Sequence, residues 1–289
     1  MGPLTMDQDK HKLVDEVAKE FENACKEGLS NRLESFYIVG SYAFDKISLD
    51  RPDINFLIVL KGYPVPDDHL KIGKICRDLA NTFKKKCVVR IEFRPFRYIY
   101  PKSKSDYEVF LNPIVVSTKE VQAMGCIFTK WFTEGLKDAN KLLYGTDFLK
   151  TLKIGAITRE DIFKGAMFDL PFFTIPLTRA PAQYDESESS LLFNEALTNA
   201  KNLAYLGLEI AMNETELKSK KYVEYIKSKG DMVNFYDERY GGRAAELVGK
   251  IFDARTNYLK YKDEPLKAKE MFAIALEIGD IIRAKLFQK

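Results

Sequence analysis

Near Thr118 the hydrophobic pattern of this chain changes character and does not change back. Upstream, apolar runs of strand length are interleaved with helical spacings. Downstream, helical spacing takes over, Leu142 to Leu149 closes the first half of the chain, and beyond Ser190 the pattern is helical throughout. A covered strand needs a short continuous apolar run, whereas a helix needs an apolar stripe of period 3.6. The order helix, strands mixed with helices, then helices alone predicts an α+β fold: a mixed-sheet domain followed by an all-α helical bundle domain. At 289 residues the chain has material for two cores. The expected division is an N-terminal helix over residues 1–30 packing on the first domain, a sheet domain over 31–150, and a helical domain over 151–289. The join falls between Thr118 and Thr158.

Leu13, Val14, Val17, Ala18, Phe21, Ala24 and Cys25 mark the first helix, which stops at Gly28. Ser35 to Val39 reads as a buried strand ending at Gly40-Ser41, and Asn55 to Leu60 as a second. Asp67 and Asp68 open a helix whose apolar face carries Leu70, Ile75, Leu79 and Phe83. Lys84-Lys85-Lys86 close it with the sign of charge that suits a helix C-terminus. Cys87 to Phe93 and Phe96 to Tyr100 read as strands separated by Pro95, and Ile114 to Ser117 as a short extended piece. One long helix is expected through Val121, Met124, Phe128, Trp131, Phe132 and Leu136. Pro171, Pro176 and Pro181 are expected to break the next stretch, and Tyr184 to Ser190 to form a polar loop. The remaining stripes are Leu192 to Ile210, Val223 with Ile226, Leu247 to Leu259, and Met271 to Leu286. Their separators are short, as in an antiparallel bundle. The cluster Tyr236, Tyr240, Gly241, Gly242, Arg243 reads as a helix end.

Composition narrows the function by exclusion. Forty-five basic residues against 42 acidic ones leave a net charge of +3, which gives no reason to expect a nucleic-acid coat or an anionic membrane partner. Cys25, Cys76, Cys87 and Cys126 include no close pair, and His11 and His69 are the only histidines, so a zinc site is not expected. No apolar run approaches the roughly 20 residues of a membrane span, and the first twelve residues are polar. The expected location is cytoplasmic; a homo-oligomer is left open.

The chemistry concentrates at Gly40-Ser41 and at Asp53-Ile54-Asn55. Strand side chains alternate, so Asp53 and Asn55 share one face while Ile54 and Phe56 share the other. Oxygen ligands side by side at a strand's edge suit a metal ion. A Gly-Ser turn lets backbone amides approach a phosphate, because glycine has no side chain in the way and serine adds a hydroxyl. Each feature alone has a plain explanation as a turn. The basic stretch Arg94, Arg97, Lys102, Lys104, with Phe96, Tyr98 and Tyr100 between, reads equally as a triphosphate or nucleic-acid contact and as a solvated strand edge.

The stretch Val39-Gly40-Ser41 … Asp53-Ile54-Asn55-Phe56, with eleven residues between Ser41 and Asp53, resembles the signature of the DNA polymerase β-like nucleotidyltransferase superfamily, minimal and kanamycin-type enzymes included. That signature is an apolar residue, Gly, Gly or Ser, a spacer of this order, and two Asp alternating with apolar residues. Leu143 to Leu149 looks like a segment often found after such a domain. The resemblance implies Mg²⁺ (or Mn²⁺) with an NTP, and transfer of a nucleoside monophosphate to a hydroxyl of an unknown acceptor, a small molecule or a nucleic-acid end. It implies Gly40 and Ser41 on the phosphates, and Asp53, Asn55 and Glu92 on the metal. Asp53 and Glu92 would be catalytic, Glu92 as third ligand or as base. Arg90 and Arg94 flank Glu92, and an ion-pair ladder explains it about as well. The superfamily's second Asp is Asn55 here, which removes one negative charge from the metal site. The alternative is a catalytically degenerate nucleotide-binding or protein-interaction module, regulatory or antitoxin-like, of the same fold. A fused ribonuclease of the kind paired with minimal nucleotidyltransferases is not expected, since no histidine follows His69.

Overall fold

The computed structural model describes residues 7–45, 47–91, 107–123, 128–183, 189–218, 225 and 228–288. The chain forms two compact units, Met1–Ile154 and Gly155–Lys289. The first contains α1 (Asp7–Gly28), β1 (Leu33–Val39), a 3-10 turn (Ser41–Phe44), β2 (Asp53–Leu60), α2 (Pro66–Phe83), β3 (Val88–Ile91), β4 (Glu108–Ser117), α3 (Thr118–Gln122), α4 (Lys130–Asp138), β5 (Asn140–Gly145) and α5 (Phe148–Thr151). Its sheet has the order β3-β4-β2-β1-β5. β1 runs antiparallel to β2 and β5, while β4 runs parallel to β2 and β3. A mixed sheet with helices, followed by an all-helical unit, is an α+β architecture.

The alternation of β2 decides what covers each face. Phe56 turns toward α1, where its ring centroid lies 4.7 Å from that of Phe21 and 5.3 Å from that of Phe36. α1 presents Leu13, Val14, Val17, Ala18, Phe21 and Cys25 to this core. Leu57 and Val59 turn the other way and pack with Tyr37, Val39, Val116, Val121, Leu136, Leu149 and Leu152. Fully burying each such side chain stabilises the unit by roughly 1.5–3 kcal/mol. Asp53 and Asn55 belong to this second face, at the end where the apolar cover stops.

Several expectations need correction. Leu79 and Phe83 of α2 are buried as expected, but Leu70 is 69% exposed and Ile75 half-buried; Ile72, Cys76 and Ala80 complete the buried stripe in their place. β4 begins at Glu108 and runs through Pro113. The missing N–H of Pro113 falls beyond Leu111, the last β4 residue paired with the described part of β3. Among the described residues the expected long helix after Thr118 ends at Gln122, and a separate helix begins at Lys130, capped by Thr129, whose Oγ1 accepts from the Phe132 N–H at 3.1 Å. Phe96 to Tyr100, Met124, Cys126, Tyr184 to Glu188, Val223 and Ile226 lie outside the described residues, while Ser189 and Ser190 already belong to a helix.

The second unit holds α6 (Arg159–Gln183), α7 (Ser189–Ala211), α8 (Glu214–Lys218), α9 (Lys229–Tyr240), α10 (Gly242–Thr256), α11 (Tyr258–Tyr261) and α12 (Pro265–Phe287). α7 packs against α6, α10 and α12. The stripe Leu247 to Leu259 is two helices, α10 and α11, parted at Asn257. Pro171, Pro176 and Pro181 do not break α6 but lie inside it. Two things carry the helix through them. Ile162, Ala166, Leu170, Leu177 and Ala180 form a buried stripe. The carbonyls that Pro171, Pro176 and Pro181 leave without a helical donor belong to Met167, Phe172 and Leu177; the first two residues are exposed, while Leu177 is buried. No described helix is long and apolar enough to cross a membrane.

Candidate functional site

β1 ends at Val39, opposite Asn55 of β2. The next residue, Gly40, has φ 79° and ψ −153° and donates its N–H to the Ala139 carbonyl at 2.8 Å. An L side chain is strained at that φ. A Cβ there would stand 3.4 Å from Nδ2 of Asn55. Ser41 then opens the 3-10 turn, with Ala43 N–H on the Gly40 carbonyl at 3.1 Å. The Gly40-Ser41 turn and the start of β2 therefore meet.

At that meeting point Asp53 is 7% exposed. Arg51, 3% exposed, brings a guanidinium nitrogen to 3.9 Å from Asp53 Oδ2. The same guanidinium lies over the Phe110 ring at 4.2 Å from its centroid. Two unit charges about 4 Å apart in an effective dielectric of about 20 attract by about 4 kcal/mol before desolvation is counted. β4 sets the other neighbours, because Asp53 pairs with Phe110 and Asn55 with Asn112. The Asn112 side-chain amide donates to Asn55 Oδ1 at 2.8 Å. Two residues before Phe110, Glu108 is buried and accepts from Arg90 Nε at 2.6 Å, with a second contact from the same guanidinium. Asp50, near Asp53 in sequence, pairs with Lys10 at 3.0 Å.

So Gly40, Ser41, Asp53 and Asn55 come together. Glu92, together with Arg94, Arg97, Lys102 and Lys104, lies outside the described residues; the described part of β3 ends at Ile91. Arg51, Glu108 and Asn112 are neighbours that sequence reasoning missed. A signal for the last two exists: Glu108, Phe110 and Asn112 alternate in an otherwise apolar run. Starting the strand after Pro113 hid it.

A divalent cation fits the described donors poorly. Among the described residues no three His, Cys, Asp or Glu side chains gather into a metal-binding group. Mg²⁺ favours anionic oxygens in near-octahedral array. Here it meets one carboxylate beside a guanidinium and one neutral amide oxygen that already accepts a hydrogen bond.

The segment Leu143 to Leu149 is a clip on β1. Ser35 Oγ and Tyr37 Oη both donate to the Thr146 carbonyl, at 2.6 and 2.9 Å, and Phe148 N–H donates to Tyr37 Oη at 2.7 Å. Gly145 has φ 83°, and a Cβ there would fall 1.8 Å from the Glu34 carbonyl oxygen. Only glycine admits so close a backbone approach. The clip closes the core beneath Tyr37, to which it gives Leu149.

No family model and no curated protein matches the sequence. Among solved structures, spectinomycin adenyltransferase AAD(9) from Enterococcus faecialis, in a crystal structure with ATP and spectinomycin, aligns over 90% of this chain and 98% of its own, at 15% identity and a TM-score of 0.47.

Proposed function

We propose that the first unit is a nucleotidyltransferase-fold module that binds an NTP, with the phosphates against the Gly40-Ser41 turn and Asp53 and Asn55 beside them. The observation that carries this reading is the pairing of Val39 with Asn55, which sets the open glycine turn against the polar end of β2. The Gly40 and Ala43 amides are spent on the Ala139 and Gly40 carbonyls, so in this reading the phosphate donors are the Ser41 hydroxyl and the Ser41 and Tyr42 amides. The reading places the protein in the cytoplasm, where NTPs are abundant. Calorimetric titration of ATP and the other NTPs tests it. Wild type is expected to give saturable heat, and Gly40→Val, which strains the turn and crowds Asn55, to lose it. No heat from any NTP with folded wild type would leave only the protein-interaction reading.

A second reading is Mg²⁺-dependent transfer of a nucleoside monophosphate to a hydroxyl of a small molecule or nucleic-acid end. It is favoured by the position of Asp53, a carboxylate at the entry of β2 on the face that meets the turn. In that reading Asp53 and Glu92, one residue beyond Ile91, are the catalytic carboxylates. The donor set of the described residues speaks against it, and no step is derived through the metal.

A further inference from the structure

We infer that the Asp53 face carries its counter-charge within the chain, with Arg51 standing where a divalent cation would be needed, and that Asp53 and Asn55 hold no metal. The inference stands on side-chain pairs; only its ATP arm rests on the phosphate-site reading above.

Three observations support it. A guanidinium keeps its charge in proteins, and that of Arg51 is buried, 3.9 Å from Asp53 and over the Phe110 ring at 4.2 Å from its centroid. A metal ion on Asp53 would sit beside this fixed positive charge, and like charges in a buried site oppose one another. Asn55 offers a neutral oxygen whose hydrogen bond from Asn112 a metal would have to displace. Glu108, the other described carboxylate on this face, is bound by the Arg90 guanidinium. Among the described residues the face shows two carboxylate–guanidinium pairs and one amide–amide pair. Their charges cancel, whereas a two-metal clamp needs a surplus of negative oxygen ligands.

Mn²⁺ titration followed by electron paramagnetic resonance, on the full chain without nucleotide, is the test. Wild type and the near-isosteric Asp53→Asn are expected to give the same Mn²⁺ curve. Mn²⁺ binding by wild type that Asp53→Asn abolishes overturns the inference; binding retained in Asp53→Asn lies elsewhere and leaves it standing. Arg51→Met removes the internal cation and is expected to raise Mn²⁺ affinity at least about tenfold. A folded Arg51→Met with no gain would show that the guanidinium is not what keeps metal out, and would overturn the role given to it. If Arg51→Met fails to fold, the comparison of wild type with Asp53→Asn still decides. In the ATP arm, affinity is expected to be equal within about twofold in Mg²⁺ and in chelator. Tightening of ATP by Mg²⁺ in wild type that Asp53→Asn loses would overturn the inference. If ATP binds in neither condition, the phosphate-site reading fails, and the Mn²⁺ arm still decides the metal question.

Discussion

Asn112 joins the two central strands at the site through one side-chain hydrogen bond to Asn55. Truncating it to Ala leaves Asn55 Oδ1 without that donor at a half-buried position. A net hydrogen bond is worth about 1 kcal/mol, and an orphaned buried acceptor costs up to about 3 kcal/mol. Asn112→Ala is expected to lower stability by about 1–2 kcal/mol, read as a shift in the urea midpoint at constant slope. An unchanged midpoint would mean that the amide pair does not hold β2 to β4. At the same scale, Asp68 shows how a partner reverses burial. Burial pushes its carboxyl up, but Arg32, at 3.0 Å, and the Val65 N–H more than offset this and hold it below the usual range.

Between helices α6 and α7 the balance goes the other way. Burial pushes the Asp169 carboxyl up to about 6. Glu209 on α7 is raised well above its ordinary value, first by burial and then by Asp169. Both favour the neutral form in the folded chain. The stability Asp169 contributes is therefore fully present below its unfolded value of 3.8 and is lost as pH rises through about 6. One pKa unit corresponds to about 1.4 kcal/mol, so the loss across that window is on the order of 1–3 kcal/mol. Thermal melts are expected to show the helical unit less stable at neutral pH than in mild acid. Asp169→Asn is expected to flatten that slope. A wild-type slope of opposite sign between the two conditions would rule the pairing out as a determinant.

At the scale of the whole molecule, two compact units with separate cores can lose stability separately. Ala275, fully buried on α12, packs in a helical unit whose centre is α7. Ala275→Asp buries an unpaired charge there and is expected to destabilise this unit by several kcal/mol. Hydrogen exchange on the intact variant checks it: protection is expected to fall across residues 155–289 while the β1–β2 amides keep theirs. Uniform loss across both units would show one cooperative core instead of two.

Periodicity was enough to read α1 and the two apolar strands that carry the site, because a strand covered on both faces must be apolar throughout and α1 repeats its stripe without interruption. The Gly40-Ser41 turn and the shared face of Asp53 and Asn55 were legible for the same local reason: alternation is a property of the strand itself. The persistence of α6 through three prolines was not legible. Local propensity argues against it, and a buried stripe packed on neighbouring helices overrides that propensity. The alternation of Glu108 and Asn112 marks a strand face, but not that this face meets Asp53 and Asn55. Asn112 lies 57 positions from Asn55 in sequence, and only the parallel pairing of β2 with β4 brings them within a hydrogen bond. What Asp53 faces was therefore decided by strand register, a long-range property that no local pattern along the chain records.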